Sequence, residues 1–575
     1  MPKREQNEPK SAFTFVLHGH LPYVLAHGTW PHGTDWLLEA ACETYIPLVE
    51  EIATLVEEGH SPKFTLSLTP VLCEQLADER FQNALPAYAQ QKIEAAQRDA
   101  EYFARTGQRR LADMARQWEA FYTGVRTAFE ERWQRDLLAP LRRWQEEGYL
   151  EIITSAATHG YLPLLGREEN VRAQIKGGVE TYRRHFGCAP RGIWLPECAY
   201  RPGYEWSPPL AGAPFPATQR RGLEHFLAEE GIDYFIVDTH LLRGGVARGV
   251  YLERFEGLQR LWLQFASHYQ PRPEEPEKSP YRPYLVGDPE NPPARPVWIF
   301  TRDPVTGLQV WSREWGYPGD GWYLDFHKKH WPGGHRYWRV TDSKADLAAK
   351  QEYEPERVGE RLAIHAEHFV RLASETLAQT GLAGCILVAP YDLELFGHWW
   401  FEGVRWLGQV VRRFPAEGPV QLTTCGEYLS TLRGEQQMVS LPEGSWGEGG
   451  FHYIWLNQDT EWTWKHIYAC ESRVPELLAQ YRADPSPRRR KVLEQALREL
   501  LLLESSDWQF LISTFHARDY AEQRFAAHVE RFTRLAEWLT RPGPLVLSPE
   551  EWAFYEECAA ADALFPQLDP AWWEA

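Results

Sequence analysis

Two short stretches of this sequence share one construction, in which an apolar run ends at a proline and is followed by an acidic residue. The first runs from Gly192 to Tyr200 and carries Glu197, and the second runs from Cys385 to Asp392. Such runs are typical of buried parallel strands, whose carboxyl ends meet on one side of a barrel, so we expect the two carboxylates to lie close together. A pair of this kind fits a glycosidase, in which one carboxylate attacks the sugar and the other transfers the proton.

A rhythm of short apolar strands and amphipathic helices extends over residues 1–413. Strand–helix–strand repeats of this kind indicate parallel β/α units. Inside this part, residues 79–147 are charged, helical in pattern and without a strand signal, so we predict a helical insertion. Residues 243–296, rich in Pro, Arg, Glu and Tyr, predict a long loop that is either a lid or a disordered surface insertion. Residues 414–575 are predicted to form a C-terminal helical domain.

Histidines follow two of the predicted strands. His18 and His20 come after the strand at residues 13–17, and His159 comes after the strand at residues 150–155. Histidines at strand ends are suited to hydrogen-bond sugar hydroxyls or a catalytic carboxylate. The alternatives are a locally hydrogen-bonded loop, a structural role for His159, or a zinc site at the first two. Against zinc, the chain has no helical H-E-x-x-H motif.

Aromatic residues are abundant in this chain of 575 residues, which contains 26 Trp, 26 Tyr and 26 Phe but only 3 Met. A large core explains most of them. Several tryptophans nevertheless stand in polar loops, as Trp446 and Trp462 do. A flat apolar ring with a polar edge suits the C–H faces of a pyranose ring. The length predicts roughly two to four domains.

The formal net charge of −19 disfavours nucleic acid and anionic membranes as partners and permits a neutral substrate. The 8 cysteines include no C-x-x-C pair and are expected to be buried free thiols. No apolar run reaches the roughly 20 residues that span a bilayer, and no apolar segment directly follows the basic residues at the N-terminus. We therefore expect a cytoplasmic protein that is a monomer or a weak homo-oligomer.

Five segments of the chain, in the right order, resemble glycoside hydrolase family 57 and, within it, the 1,4-α-glucan (glycogen) branching enzymes. They are His18 to Tyr23, Leu150 to Pro163, Trp194 to Tyr200, Tyr391 to Trp400 and Trp446 to Trp464. The last segment and the helical C-terminus resemble the branching enzymes more than the amylases of the family. The resemblance implies an α/β fold, a distorted TIM-like (β/α)7 barrel with a helical insertion and an all-helical C-terminal domain.

The resemblance also implies roles for individual residues. Glu197 would be the nucleophile and Asp392 the general acid/base of a retaining double displacement, with the carboxylates roughly 5 Å apart. This reaction cleaves an α-1,4-glucan donor chain and transfers it to the 6-hydroxyl of an acceptor chain, and it requires no metal and no organic cofactor. Seven further residues are implied at or near the glucan: Arg302, Gly319, Trp446, Asp507, His20, His159 and Trp455. In the predicted loop, Tyr281 or Tyr284 is a candidate for a functional tyrosine.

Other functions remain open at this point. A 4-α-glucanotransferase or an α-amylase of the same family would share both carboxylates, and only the products separate them. A polysaccharide deacetylase on a related barrel would need a metal, which His18 and His20 could bind. A non-catalytic glucan-binding protein is the alternative from another class, although the intact acidic pair disfavours it. Asp507, which follows two serines, has the alternative role of capping a helix.

Overall fold

The computed structural model describes residues 10–242, 256–268, 278–312, 316–342, 344–415 and 418–574. Twelve strands lie in these ranges: β1 (Ser11–Gly19), β2 (Thr65–Leu68), β3 (Glu151–Ser155), β4 (Gly192–Trp194), β5 (Tyr204–Trp206), β6 (Thr218–Arg220), β7 (Tyr234–Val237), β8 (Tyr284–Val286), β9 (Trp298–Thr301), β10 (Ile386–Asp392), β11 (Val420–Leu422) and β12 (Met438–Val439).

The α-helices found in the same ranges are α1 (Thr34–Ala40), α2 (Ile46–Glu57), α3 (Pro70–Ala77), α4 (Glu79–Arg105), α5 (Arg109–Thr127), α6 (Leu138–Glu146), α7 (Glu168–Phe186), α8 (Leu223–Glu229), α9 (Thr239–Leu242), α10 (Glu256–His268), α11 (Pro304–Trp311), α12 (Pro355–Gln379), α13 (Gly403–Arg413), α14 (Cys425–Thr431), α15 (Glu461–Ala483), α16 (Pro487–Leu503), α17 (Ser506–Thr514), α18 (Arg518–Leu539) and α19 (Pro549–Ala561).

Seven parallel strands form a barrel in the order β10-β1-β2-β3-β4-β7-β9. Beyond the end of β9, Arg302 forms a parallel bridge with Val388 of β10, and the backbone N–H of Asp303 donates to the Val388 carbonyl at 2.9 Å. These contacts join the two ends of the seven-stranded row. The predicted (β/α)7 barrel is therefore confirmed.

Alternation along β1 explains how the barrel is filled and why a histidine reaches its interior. Phe13, Phe15 and Leu17 pack in the outer core. Val16 belongs to a separate inner cluster, whose larger members are Ile153, Trp194, Tyr234, Ile236, Phe300, Ile386 and Tyr428. Side chains two residues apart in a strand share a face, so His18 projects to the same side as Val16, at the carboxyl end of the strand. The inner cluster fills the barrel interior beneath the residues at the carboxyl ends of the strands.

The C-terminal region is helical, as predicted, but two short strands precede its long helices. β11 pairs with β1, and β12 pairs with β8, which in turn lies antiparallel to β9. The barrel sheet therefore receives strands from beyond residue 413. The helical part consists of α15 to α19, which begin at Glu461. The predicted insertion at residues 79–147 forms the helices α4, α5 and α6.

The predicted loop at residues 243–296 contains regular structure. Residues 243–255 and 269–277 of this prediction lie outside the described residues. Between and after them, the chain forms α10 and β8. The helix was missed because the prediction followed the Pro-, Arg- and Glu-rich composition of the whole segment. Its buried residues Leu258, Leu261 and Phe265 have the spacing of one helix face. A loop prediction for the whole segment was therefore wrong.

Candidate active site

The carboxyl ends of the barrel strands bring the predicted polar residues together. Asp392 ends β10 and pairs in register with His18 of β1. Glu197 follows β4, His159 follows β3 and Arg302 follows β9. Because parallel strands present their carboxyl ends on one side of the barrel, residues far apart in the chain meet here.

One cavity of 1190 Å³ lies over these strand ends. Eight of the nine predicted site residues line it: His20, His159, Glu197, Arg302, Asp392, Trp446, Trp455 and Asp507. Gly319 does not. It lies in a separate cavity of 590 Å³, together with Tyr317, Asp320 and His365. The structure therefore groups both carboxylates with the implied glucan contacts except Gly319.

Glu197 is held in a strained backbone conformation by the loop that carries Trp446. Its φ is +62°, in the left-handed region that non-glycine residues rarely adopt. The indole N–H of Trp446 donates to Glu197 Oε2 at 2.8 Å, and the Trp446 backbone N–H donates to the Glu197 carbonyl at 3.1 Å. These two hydrogen bonds fix both the main chain and the carboxylate of Glu197.

Both carboxyls have raised pKa values. Burial raises the pKa of Glu197 to about 8, where the Trp446 hydrogen bond lowers it and the charges of Asp392 and Asp507 raise it. Burial also raises the pKa of Asp392 to about 6, against the lowering effect of His20 and Arg302. Because the two carboxyls interact, they titrate as a pair. Between about pH 6 and pH 8 the two carboxyls therefore share one proton.

Two neutral histidines, His18 and His159, lie between the carboxylates and the inner apolar cluster. Burial lowers the pKa of both His18 and His159 well below the usual value, and the neighbouring His20 lowers them further. Their Nε2 atoms are 3.2 Å apart, so one ring donates and the other accepts. His18 also stacks on Trp194, with ring centroids 4.7 Å apart. The Nδ1 atom of His159 lies 3.9 Å from Glu197 Oε1, which places this ring directly beside that carboxylate.

His20 joins the barrel to the C-terminal helices. Its Nε2 atom lies 2.9 Å from Asp507 Oδ1, and its Nδ1 atom lies 3.1 Å from the hydroxyl of Thr69. Its backbone N–H donates to Glu394 Oε1 at 3.0 Å, and Tyr45 donates to the same oxygen at 2.6 Å. Burial raises the pKa of Glu394 to about 8. Glu394 was not among the predicted site residues, although its position two residues after Asp392 is a signal for it.

Arg302 brings a positive charge to the cavity. Its guanidinium donates to Asp238 Oδ2 at 3.3 Å and lies 5.7 Å from the ring centroid of Trp446. It also lowers the pKa of Asp392. Arg302 is therefore placed to favour the ionised form of that carboxylate and to orient the ring that contacts Glu197.

Aromatic rings surround the polar centre. Trp455 is buried and stacks on Tyr161, with ring centroids 4.5 Å apart. Gly447 permits this, because a Cβ there would lie 2.7 Å from the Trp455 ring. Around the mouth, five further rings line the cavity and are exposed: Trp30, Trp311, Trp331, Trp399 and Phe510. Exposed aromatic rings around a polar centre suit a ligand with alternating C–H faces and hydroxyl edges.

The two tyrosines suggested for the predicted loop do not line this cavity. Tyr281 donates to Asp303 Oδ1 at 2.8 Å. Tyr284 is buried in β8, where its hydroxyl accepts the backbone N–H of Ser279 at 2.8 Å. The Tyr281 side chain and the Tyr281 carbonyl, which accepts the backbone N–H of Ile386 at 2.9 Å, tie this segment to the barrel.

One group of residues at the centre has the donor atoms for a metal. His20, His159 and Asp507 each offer one ligand atom, and these atoms lie within 4.8 Å of one another. His18, which the deacetylase alternative requires, is not in this group, because its Nδ1 atom faces the Ser67 hydroxyl at 2.9 Å and its Nε2 atom faces His159. The arrangement therefore differs from the metal site that this alternative predicts.

Comparisons with known proteins agree with the barrel and with the resemblance. Residues 14–442 match glycosyl hydrolase family 57, and residues 466–573 match the C-terminal domain of 1,4-alpha-glucan branching enzymes. A 1,4-alpha-glucan branching enzyme of Thermococcus kodakarensis is 43% identical over 546 residues, which are 92% of this chain and 74% of the relative. The chain thus belongs to glycosyl hydrolase family 57, a family of enzymes.

Solved structures support the same assignment over the whole length. The branching enzyme of Pyrococcus horikoshii superposes with a TM-score of 0.85 at 39% identity, covering 98% of this chain and 97% of that one. The α-amylase AmyC of Thermotoga maritima superposes with a TM-score of 0.78 at 28% identity, covering 98% and 99%. Within the described ranges, no helix combines the length and apolar composition needed to cross a bilayer.

Proposed function

We propose that this protein is a 1,4-α-glucan branching enzyme that works by a retaining double displacement. The observation that carries the chemistry is the pair of half-buried carboxyls, Glu197 and Asp392, in one cavity lined with aromatic rings. The branching reaction is supported by two branching enzymes that are 43% and 39% identical to this chain, and by the match of residues 466–573 to the C-terminal domain of such enzymes.

In the first step, Glu197 attacks the anomeric carbon of the donor glucan while Asp392 protonates the leaving glycosidic oxygen. The C–O bond to the reducing-end fragment breaks, and an ester bond to Glu197 forms. In the second step, Asp392 accepts the proton of an acceptor 6-hydroxyl, whose oxygen displaces Glu197. Two inversions leave the new α-1,6 bond with the α configuration.

These roles require the shared proton to be on Asp392 when the donor is bound. Without a bound sugar, burial favours the protonated form of Glu197, whose pKa is about 8. A bound glucan changes both environments. The glycosidic oxygen accepts a hydrogen bond from protonated Asp392, and the positive charge that develops at the anomeric carbon favours ionised Glu197. We propose that substrate binding moves the proton between the two carboxyls.

Transfer to a sugar also requires that water is kept from the intermediate. The rings of Trp446 and Trp455 line the cavity, and the indole N–H of Trp446 donates a hydrogen bond to Glu197 Oε2. Apolar rings exclude water and provide faces for an acceptor sugar. This wall belongs to the loop between β12 and α15, outside the barrel strands.

The test is incubation of the purified protein with amylose, followed by counting of α-1,6 linkages by proton NMR and of new reducing ends in the same sample. We expect branch points well in excess of reducing ends, and loss of both in the Glu197→Gln variant. Reducing ends without branches would identify an α-amylase. New α-1,4 chain lengths with neither would identify a 4-α-glucanotransferase, and binding without turnover would identify a glucan-binding protein.

A further inference from the structure

The C-terminal domain contributes a continuous wall to the cavity through α17 and the turn that follows it. Asp507, Phe510 and Leu511 lie on one face of α17, at the spacing of three and four residues that places side chains side by side. His516 and Ala517 extend this wall beyond the end of the helix. All five line the cavity. From Asp507 to residue 515 the wall is about 12 Å long, at a rise of about 1.5 Å per residue.

This wall begins on the Glu197 side of the site. The hydroxyl of Ser506 lies 2.8 Å from Nδ1 of His159, and the same nitrogen lies 3.9 Å from Glu197 Oε1. Under the proposed function, Glu197 carries the transferred segment of the donor chain, so α17 lies along that segment.

Three aromatic rings stand along the outer part of the wall. The rings of Phe510 and His516 are parallel within 2°, with centroids 6.4 Å apart. Phe515 lies next to His516, is 66% exposed and is approached by the guanidinium of Arg518 at 5.3 Å from its centroid. The cation holds this exposed ring in one place.

Phe515 occupies a backbone position that suits another residue type. It ends α17 with a φ of +58°, the left-handed conformation in which helices usually carry glycine or asparagine. A bulky residue there is strained, and an exposed ring gains nothing from a core that could offset the strain. A strained, exposed ring beside the mouth of a substrate cavity indicates a use for the ring itself.

We propose that Phe510, His516 and Phe515 form a glucan-binding strip that holds the distal part of the transferred segment and thereby selects its length. The strip is continuous with the cavity, and its occupant is the α-1,4-glucan chain attached at Glu197. This inference rests on the proposed function, which supplies the transferred segment. It identifies three residues that set the specificity of the transfer, in addition to the residues at the carboxylates.

The test compares wild-type protein with the variants Phe515→Asn and Phe510→Ala. Each is incubated with amylose, the products are debranched, and the lengths of the transferred chains are measured at equal numbers of branches formed, so that a difference in rate does not enter. We expect both variants to transfer shorter chains with a broader distribution, and Phe515→Tyr to retain the wild-type distribution. Asparagine tolerates the left-handed conformation, so Phe515→Asn should keep or raise the Tm, which excludes misfolding as the cause.

Val546→Ala is the matched control, because Val546 is 71% exposed, belongs to the same domain and does not line the cavity. Transferred chains of the same length distribution in Phe515→Asn, Phe510→Ala and wild type would contradict the proposed glucan-binding strip. An equal shift of chain length in Val546→Ala would contradict it as well. If the wild-type protein makes no branches, the proposed function fails. The strip is then tested on the lengths of the fragments released or exchanged, which still report the segment held at Glu197.

Discussion

The cavity has two walls of different origin. The barrel wall consists of residues at strand ends, among them Glu197, Asp392 and His159. The C-terminal wall comes from α17 and from the loop that carries Trp446. The barrel wall holds both carboxyls, and the C-terminal wall holds groups that shift the pKa of Glu197 in opposite directions.

The proposed reacting carboxyls thus lie on one wall, and two groups that shift the pKa of Glu197 lie on the other. The Trp446 hydrogen bond lowers the pKa of Glu197, whereas the charge of Asp507 raises it. In the proposed mechanism, the barrel wall supplies the acid and the nucleophile, and the C-terminal wall adjusts the pKa of Glu197 and contacts the glucan.

The largest effect is expected from the barrel wall. Glu197→Gln and Asp392→Asn should each lower kcat by at least about 10³-fold, because each removes a group that acts directly on the reacting bonds. Initial rates on amylose measure this loss. A variant of either carboxyl that retains more than a tenth of wild-type kcat would contradict the assignment of the chemistry to this wall.

Trp446→Phe tests the first contribution of the C-terminal wall. Loss of its hydrogen bond to the Glu197 carboxylate should lower kcat about 10- to 100-fold, which is the contribution of a charge-assisted hydrogen bond.

The pH dependence of wild-type kcat/KM should be bell-shaped, with limbs near pH 6 and pH 8, since activity needs one proton on the pair of carboxyls. The bond lowers the pKa of Glu197, so its loss should move the alkaline limb above pH 8.

Trp455→Phe is the matched control for this variant. Trp455 lines the same cavity, but its indole N–H is buried and has no hydrogen-bond partner in the described structure. Replacement of Trp455 by phenylalanine should therefore leave the alkaline limb of the kcat/KM profile at its wild-type pH. Equal limbs in both variants would show that Trp446 acts through packing alone.

Asp507→Asn tests the opposite contribution. The carboxylate charge raises the pKa of Glu197, so its removal should move the alkaline limb below pH 8. The kcat should fall about tenfold, because His20 exchanges a charged acceptor for a neutral one. Ser505→Ala is the control, since the Ser505 hydroxyl donates to Asp507 at 2.5 Å and its loss leaves the charge in place. An alkaline limb that moves above pH 8 in Asp507→Asn would contradict the claim that the Asp507 charge raises the pKa of Glu197.

Gly447→Ala should have the smallest effect. A Cβ at this position would lie 2.7 Å from the Trp455 ring, so the ring must shift, and KM for amylose should rise a few-fold with little change in kcat. Gly124→Ala, in α5, is the control, because a Cβ there meets no atom within 4 Å. A larger fall in kcat than in Asp507→Asn would mean that the loop positions Glu197 more strongly than its charge environment does.

The barrel wall was predictable from local sequence patterns. Apolar strands that end at Glu197 and Asp392 carry their own signals, and the carboxyl ends of parallel strands must lie together. The insertion helices α4 to α6 were predictable for the same reason, because a long amphipathic pattern is a local property.

The C-terminal wall was not predictable from local patterns. His20 and Asp507 are 487 residues apart in the chain, and Trp446 and Glu197 are 249 apart. No spacing rule joins such pairs, so only the family resemblance placed them at one site. The same resemblance placed Gly319 with the glucan, whereas the structure has it in a different cavity, because a loop position depends on packing that no short motif records.

The most direct test of the account is to identify the residue that carries the sugar in the intermediate. The Asp392→Asn variant is incubated with an α-maltosyl fluoride, whose leaving group needs no acid, so that the first step proceeds and the second, which needs a base, is slow. The protein is then digested and its peptides are analysed by mass spectrometry. The account predicts one maltosyl group on the peptide that contains Glu197. A maltosyl group on any other residue, or turnover with inversion and no bound sugar, would contradict it.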